Sequence, residues 1–207
     1  MINIIDYEMG NLRSVEKAFE NLGFEVRVSA DPQDILTADK VVLPGVGAFR
    51  DCIQNLREGG FVEPLLQHVR AGKLLLGICV GMQMLFDESE EFGRHQGLGL
   101  IPGKVVRFPA GMVEKGERLK VPHMGWNNIL LKKGSPLFAG VRDESFVYFV
   151  HSYYCAAENG SDVAASCRYG DVEFSASIWR DNIMATQFHP EKSQSIGLNI
   201  FKNFGEL

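Results

Sequence analysis

The residues with the clearest chemical meaning lie in positions 74–83, where an apolar run ends in Gly77-Ile78-Cys79-Val80-Gly81 and passes directly into a helical pattern. A nucleophile flanked two positions either side by glycine, on a strand-to-helix turn, is the cysteine version of the G-x-S-x-G elbow. Such a turn holds its nucleophile in a strained backbone, and side chains at 77 and 81 would crowd the neighbouring chain. At a helix N-terminus, free N–H groups and the helix dipole favour the thiolate of Cys79. The plainer reading is a small buried hydrophobe whose glycines only allow close packing.

A nucleophilic cysteine needs a base and a group that orients the base. His189-Pro190-Glu191 offers both. In an extended turn the i, i+2 spacing lets the carboxylate reach one imidazole nitrogen while the other faces the thiol, and Pro190 keeps the stretch out of a helix. Distance along the chain is no obstacle, because triads are assembled in space. Taken alone, His-Pro-Glu is a common turn. A third feature is Pro44-Gly45-Val46-Gly47-Ala48-Phe49. Arginine at position 50 breaks GxGxxG, and no GxxxxGK[ST] occurs, which removes both nucleotide-phosphate fingerprints. What remains is a turn that either packs or aims backbone N–H groups at an oxyanion beside Cys79, together with the N–H of Val80.

The elements that must carry these residues alternate in the first half of the chain. Strands are predicted at 2–6, 25–28, 40–44 and 74–78, and helices at 11–23, 49–57, 62–71 and 80–86. Alternation of this kind implies a mostly parallel sheet covered on both faces. Beyond Asp87 the pattern turns to period-2 runs at 104–108, 126–131, 145–150, 163–169, 172–179 and 183–188, read as antiparallel additions. Asn159-Gly160-Ser161 reads as a hairpin turn rather than a glycosylation acceptor. A last helix covers 193–204. The expectation is one three-layer α/β domain, residues 1–207, with a mostly parallel sheet and added antiparallel strands.

Composition bounds the function. A chain of 207 residues buries about 70% of its unfolded surface, enough for a core without staples. A net charge of −5 offers no broad basic face, so nucleic acid is not the expected partner. The longest apolar run is too short to span a bilayer. The opening MINIIDYEMG lacks the basic region of a secretory signal, and the four cysteines show no CxxC. Together these predict reduced thiols in the cytoplasm, no membrane partner, and no metal.

The segments GICVGMQ at 77–83 and HPE at 189–191 resemble the Cys-His-Glu triad of class I glutamine amidotransferases, which release ammonia from glutamine. DYEMGN at 6–11, PGVGAF at 44–49, VPHMGWN at 121–127, FVHSYY at 149–154 and the extension HPEKS narrow the resemblance to the branch that serves histidine biosynthesis, over essentially the whole chain. The resemblance implies a flavodoxin-like amidotransferase fold, no cofactor, and a separate cyclase partner with a (βα)8 barrel. It assigns Cys79, His189 and Glu191 as the catalytic residues. It gives Val46, Gly47 and Val80 as oxyanion donors, and Gln83, Glu91 and the main chain of Ser152 and Tyr153 as the glutamine site. Asn11, Trp126, Tyr148 and Lys192 would lie near the cyclase. Glu91 read without the resemblance is an acid in a charged loop, and the other four read as a helix cap, an aromatic, a strand residue and a solvated lysine. Three alternatives stay open here: a glutaminase of the pyridoxal-phosphate-synthase or anthranilate-synthase type, a non-catalytic scaffold, and a stand-alone cysteine hydrolase or redox sensor.

Overall fold

The computed structural model describes residues 1–114 and 116–207. Its first half is built from β1 (Ile2–Ile5), α1 (Leu12–Asn21), β2 (Val26–Ser29), α2 (Gln33–Thr37), β3 (Lys40–Gly45), α3 (Phe49–Glu58), α4 (Val62–Arg70), β4 (Leu74–Cys79) and α5 (Val80–Met84). Strands β1, β3 and β4 are buried along almost their whole length, as expected of parallel strands covered on two faces. Helix α1 presents Val15, Ala18 and Phe19 to the core and stops at Gly23, whose φ of +85° closes the last turn: the Gly23 N–H bonds Glu20 O and the Phe24 N–H bonds Phe19 O.

The second half contains β5 (Phe86–Ser89), β6 (His95–Gln96), β7 (Ile101–Arg107), β8 (Val113–Glu114), β9 (Glu117–Arg118), β10 (His123–Asn128), β11 (Leu130–Leu131), β12 (Phe146–His151), β13 (Tyr153–Ala157), β14 (Val163–Tyr169), β15 (Val172–Arg180), β16 (Ile183–Thr186) and α6 (Gln194–Glu206). One large sheet runs β2-β1-β3-β4-β16-β15-β13-β7-β5-β6, with β14 paired to β15 and β11 to β14. Two short ladders, β10-β12 and β8-β9, stand apart from it. Helix α6 packs against α1 through Phe201 and Phe19, whose rings are 4.5 Å apart. The result is a three-layer α/β fold with a mostly parallel central sheet and antiparallel strands at one side.

Several sequence expectations need correction. The run at 183–188 is not an antiparallel addition on both edges: β16 lies parallel to β4 and antiparallel only to β15. All four residues of β16 are buried, the mark of a central strand. The helix expected over 80–86 ends at Met84, because Phe86–Ser89 is drawn into the sheet beside β7. The run at 126–131 divides at buried Ile129 into strands of two different sheets. Asn159-Gly160-Ser161 is not a hairpin turn, since the strands it joins, β13 and β14, both pair with β15 and not with each other. Helix α2 and strand β13 have no counterpart in the sequence reading.

Candidate active site

Cys79 is the last residue of β4 and the cap of α5, with φ +55° and ψ −111°. A non-glycine residue in this region carries about 1–3 kcal/mol of strain, so its surroundings must over-determine it. Three glycines do so. A Cβ at Gly81 would stand 1.9 Å from the Leu43 carbonyl oxygen, one at Gly45 would stand 2.7 Å from the Gly81 nitrogen, and one at Gly77 would stand 3.0 Å from the Met82 nitrogen. β3, β4 and α5 therefore approach closely enough to lock the turn. Val80 opens α5, which leaves its N–H without a partner inside the helix.

His189 follows β16 in a 3₁₀ turn tied to β12: the His189 N–H bonds Tyr148 O at 3.0 Å, and Ser193 Oγ both donates to His189 O at 2.7 Å and accepts from the Tyr148 N–H at 3.0 Å. The imidazole donates from Nδ1 to Glu191 Oε1 at 2.7 Å, and both side chains are almost fully buried. Asn11 Nδ2 donates to the same oxygen at 3.4 Å. His189 Nε2 has no hydrogen-bond partner and sits beside Cys79. Burial opposes a charged imidazole, but the adjacent Cys79 sulfur and the Glu191 carboxylate outweigh it and hold the His189 pKa up at about 10. The site is thus built to keep an imidazolium next to sulfur.

Both residues open on a cavity of about 490 Å³. Val46, Gly47 and Val80 line it, as do Gln83, Glu91, Ser152 and Tyr153, and at its rim Asn11 and Lys192. The Val46–Gly47 turn is anchored from below. Tyr7 OH donates to Pro44 O at 2.6 Å, and the Cys52 thiol donates to Val46 O at 3.3 Å. Gly47 has φ +93° and open space around it. Glu91 is not a solvated acid: its Oε2 accepts from the Phe49 N–H at 2.7 Å at the start of α3, and burial raises its pKa against that bond. Trp126 and Tyr148 are outside the cavity lining. Their rings meet edge to face at 6.1 Å, Lys192 Nζ lies 5.8 Å from the Tyr148 ring, and exposed Met124 and Phe146 extend the patch.

Pro122, Val150 and His151 also line the cavity, and neither they nor Gln187 beside Cys79 has a site role in the sequence reading. Gln187, fully buried, donates to Cys79 Sγ at 3.8 Å and accepts from Gln83 Nε2 at 3.0 Å. Its place two positions before His189 in an extended run, on the same face, is the signal that could have revealed it. Among the described residues, no group of three or more His, Cys, Asp or Glu side chains could hold a metal ion, and no helix is long and apolar enough to cross a membrane.

Residues 3–206 match the family model for glutamine amidotransferase class-I. The chain is 64% identical over 206 residues to the imidazole glycerol phosphate synthase subunit HisH of Geobacter sulfurreducens, covering 100% of this chain and 98% of that one. It is 62% identical over 207 residues to the subunit of the same name from Syntrophotalea carbinolica, covering 100% of both. Among solved structures it resembles a glutamine amidotransferase with a TM-score of 0.75 at 18% identity, covering 100% of this chain and 99% of that one. It also resembles PurLQS from Thermotoga maritima with a TM-score of 0.73 at 18% identity, covering 98% and 96%. At such identities the two structures speak for the fold alone.

Proposed function

The chain belongs to the glutamine amidotransferase class-I family, and from that premise we propose how its residues divide the work of hydrolysing glutamine. The chain is the glutaminase subunit of imidazole glycerol phosphate synthase and serves histidine biosynthesis. Cys79 sulfur attacks the side-chain amide carbon, and the carbonyl electrons move to oxygen, where the N–H of Val80 and those of the Val46–Gly47 turn receive the charge. His189 gives its Nε2 proton to the departing nitrogen, and ammonia leaves a thioester. The neutral imidazole then takes a proton from water, hydroxide adds to the thioester, and glutamate departs as the sulfur is restored. Glu191 holds His189 through Nδ1 in both steps.

Gln83, Glu91 and the main chain of Ser152 and Tyr153 hold the amino-acid end of glutamine. The patch of Trp126, Tyr148 and Lys192, with Asn11 at the rim, receives a cyclase subunit built as a (βα)8 barrel, which accepts the ammonia. Residues 1–207 act as one catalytic unit in the cytoplasm, and the chemistry calls for no cofactor. The observation that carries this reading is the buried His189–Glu191 pair, whose free Nε2 stands beside a sulfur on a strained elbow. The test is labelling with a glutamine analogue bearing an electrophilic carbon. A single adduct mapping to Cys79, prevented by excess glutamine, supports it; an adduct elsewhere, or none, overturns it.

A further inference from the structure

β10 and β12 place His123 directly opposite His151. Both imidazoles are buried among rings: His123 stacks on Phe149 at 4.9 Å and Tyr169 at 4.1 Å, and His151 lies 5.2 Å from Phe108 and 5.1 Å from Phe174. Neither takes part in the reaction as proposed. Their hydrogen bonds nonetheless form one continuous chain. His151 Nδ1 meets Tyr153 O at 2.8 Å, so that nitrogen carries the proton and Nε2 is an acceptor. His123 Nδ1 lies 3.0 Å from His151 Nε2 and must therefore donate, leaving His123 Nε2 to accept from Asn127 Nδ2 at 3.3 Å. Asn127 cannot turn over, because its Oδ1 accepts from the Asn128 N–H at 2.9 Å and its Nδ2 also donates to Arg168 O at 2.8 Å.

The other end of the chain enters the site. Tyr153 O takes a second donor, Gln83 Nε2, at 3.1 Å, and the same amide nitrogen donates to Gln187 Oε1 at 3.0 Å. With its N–H groups used, Gln83 has only Oε1 to present to the cavity. Gln187 Oε1 also accepts from the Cys155 thiol at 3.9 Å, which leaves the Gln187 N–H for Cys79 Sγ at 3.8 Å. Every group is satisfied in one sense only, with both histidines neutral. Burial drives His151 down to about 3, helped by neighbouring His123 and His189, and drives His123 down to about 4.

We propose that Asn127, His123 and His151 are positioning residues: they fix the Tyr153 carbonyl and, through it, the amide sense of Gln83 and Gln187, so that an N–H and not a carbonyl faces the nucleophile. The inference rests on the glutaminase reading for its kinetic arm and on geometry alone for its spectroscopic arm. A reversed Gln187 amide would set its oxygen against the attacking sulfur. β10 also carries Trp126, so the relay begins on the strand proposed to meet the partner.

The experiment uses the full chain with its cyclase and ¹⁵N-labelled histidine. In the wild type, both His123 and His151 should appear as neutral Nδ1–H tautomers at neutral pH. His151→Phe keeps a ring in the aromatic cage but removes the donor to Tyr153 O, and it should lower glutamine turnover by about ten-fold or more, the scale of one lost hydrogen bond to a charged or buried group, while raising KM. His151→Asn places a donor where Nδ1–H stood and should recover most of that loss. A proton on His151 Nε2, His151→Phe with wild-type kcat and KM, or His151→Asn as impaired as His151→Phe would each overturn the relay. If the phenylalanine variant does not fold, the tautomers and the asparagine variant still decide. Absence of glutamate formation by the wild type would instead strike the glutaminase reading, with the tautomer result standing by itself.

Discussion

Glu191→Gln isolates the charge of the orienting acid from its shape. Glu191 Oε1 accepts from His189 Nδ1 at 2.7 Å and from Asn11 Nδ2 at 3.4 Å, while Oε2 has no partner. A glutamine at this position keeps its oxygen toward the two donors, because turning the NH₂ that way would oppose two N–H groups at once. The tautomer of His189 is therefore preserved and only the carboxylate charge is lost. A hydrogen bond to a charged group contributes about 1.5–3 kcal/mol, so turnover should fall roughly ten- to 150-fold. Glutamine KM should change little, since Glu191 does not face the substrate. The assay is glutamate formation by the complex with its cyclase at saturating ammonia acceptor. Turnover within threefold of wild type would demote Glu191 to a turn residue. A loss of roughly 10⁴, the size seen when a triad histidine takes the wrong tautomer, would show that Asn11 does not hold the oxygen in place.

Other outcomes follow from the same geometry. Gly81→Ala drives a Cβ to 1.9 Å from Leu43 O, a backbone atom with no room to yield, so it should destabilise by more than the usual 1–3 kcal/mol of overpacking in urea titration; a wild-type midpoint would refute the locked elbow. Arg94 and Lys104 hold the Glu88 pKa down at about 2; its stabilisation is present above the ordinary carboxylate range and lost as pH falls through 2, so Glu88→Gln should flatten the acid limb of stability against pH. His189 acts in the opposite sense. Its raised pKa stabilises the fold below its ordinary value and the benefit is lost as pH rises through about 10, so Cys79→Ala, which removes a raising neighbour, should move that loss to lower pH in thermal melts. Trp126→Ala should weaken cyclase association by about 2 kcal/mol, as for a central interface aromatic, while alkylation of Cys79 by a small reagent is unchanged; unaltered affinity by titration calorimetry would move the interface elsewhere.

How much of this was legible in the sequence depended on how local each constraint is. The elbow is readable because Gly77, Cys79 and Gly81 form one contiguous pattern, although the Leu43 carbonyl that excludes a side chain at Gly81 belongs to another strand, and the parallel half is readable because strand and helix periods alternate there. Strand β16 misled because Ile183-Met184-Ala185-Thr186 can be read as either strand type, and only pairing to β4 decides it. Glu91 looked solvated because its partner, the Phe49 N–H, is distant along the chain. The histidines of PHMGWN and FVHSYY were visible as letters, but their mutual hydrogen bond exists only through the β10–β12 register. Gln187 carried a positional signal beside His189, while its amide sense is set by Gln83 and Cys155 from other elements.

In the proposed division of work, Cys79 releases ammonia from glutamine and takes no part in what the ammonia then does. The direct measurement is product formation by the Cys79→Ala subunit bound to its cyclase, supplied in turn with glutamine and with an ammonium salt. Synthesis should vanish with glutamine and persist at the wild-type rate with ammonium. Equal loss of both activities in a folded complex, or retention of the glutamine-dependent one, would contradict it.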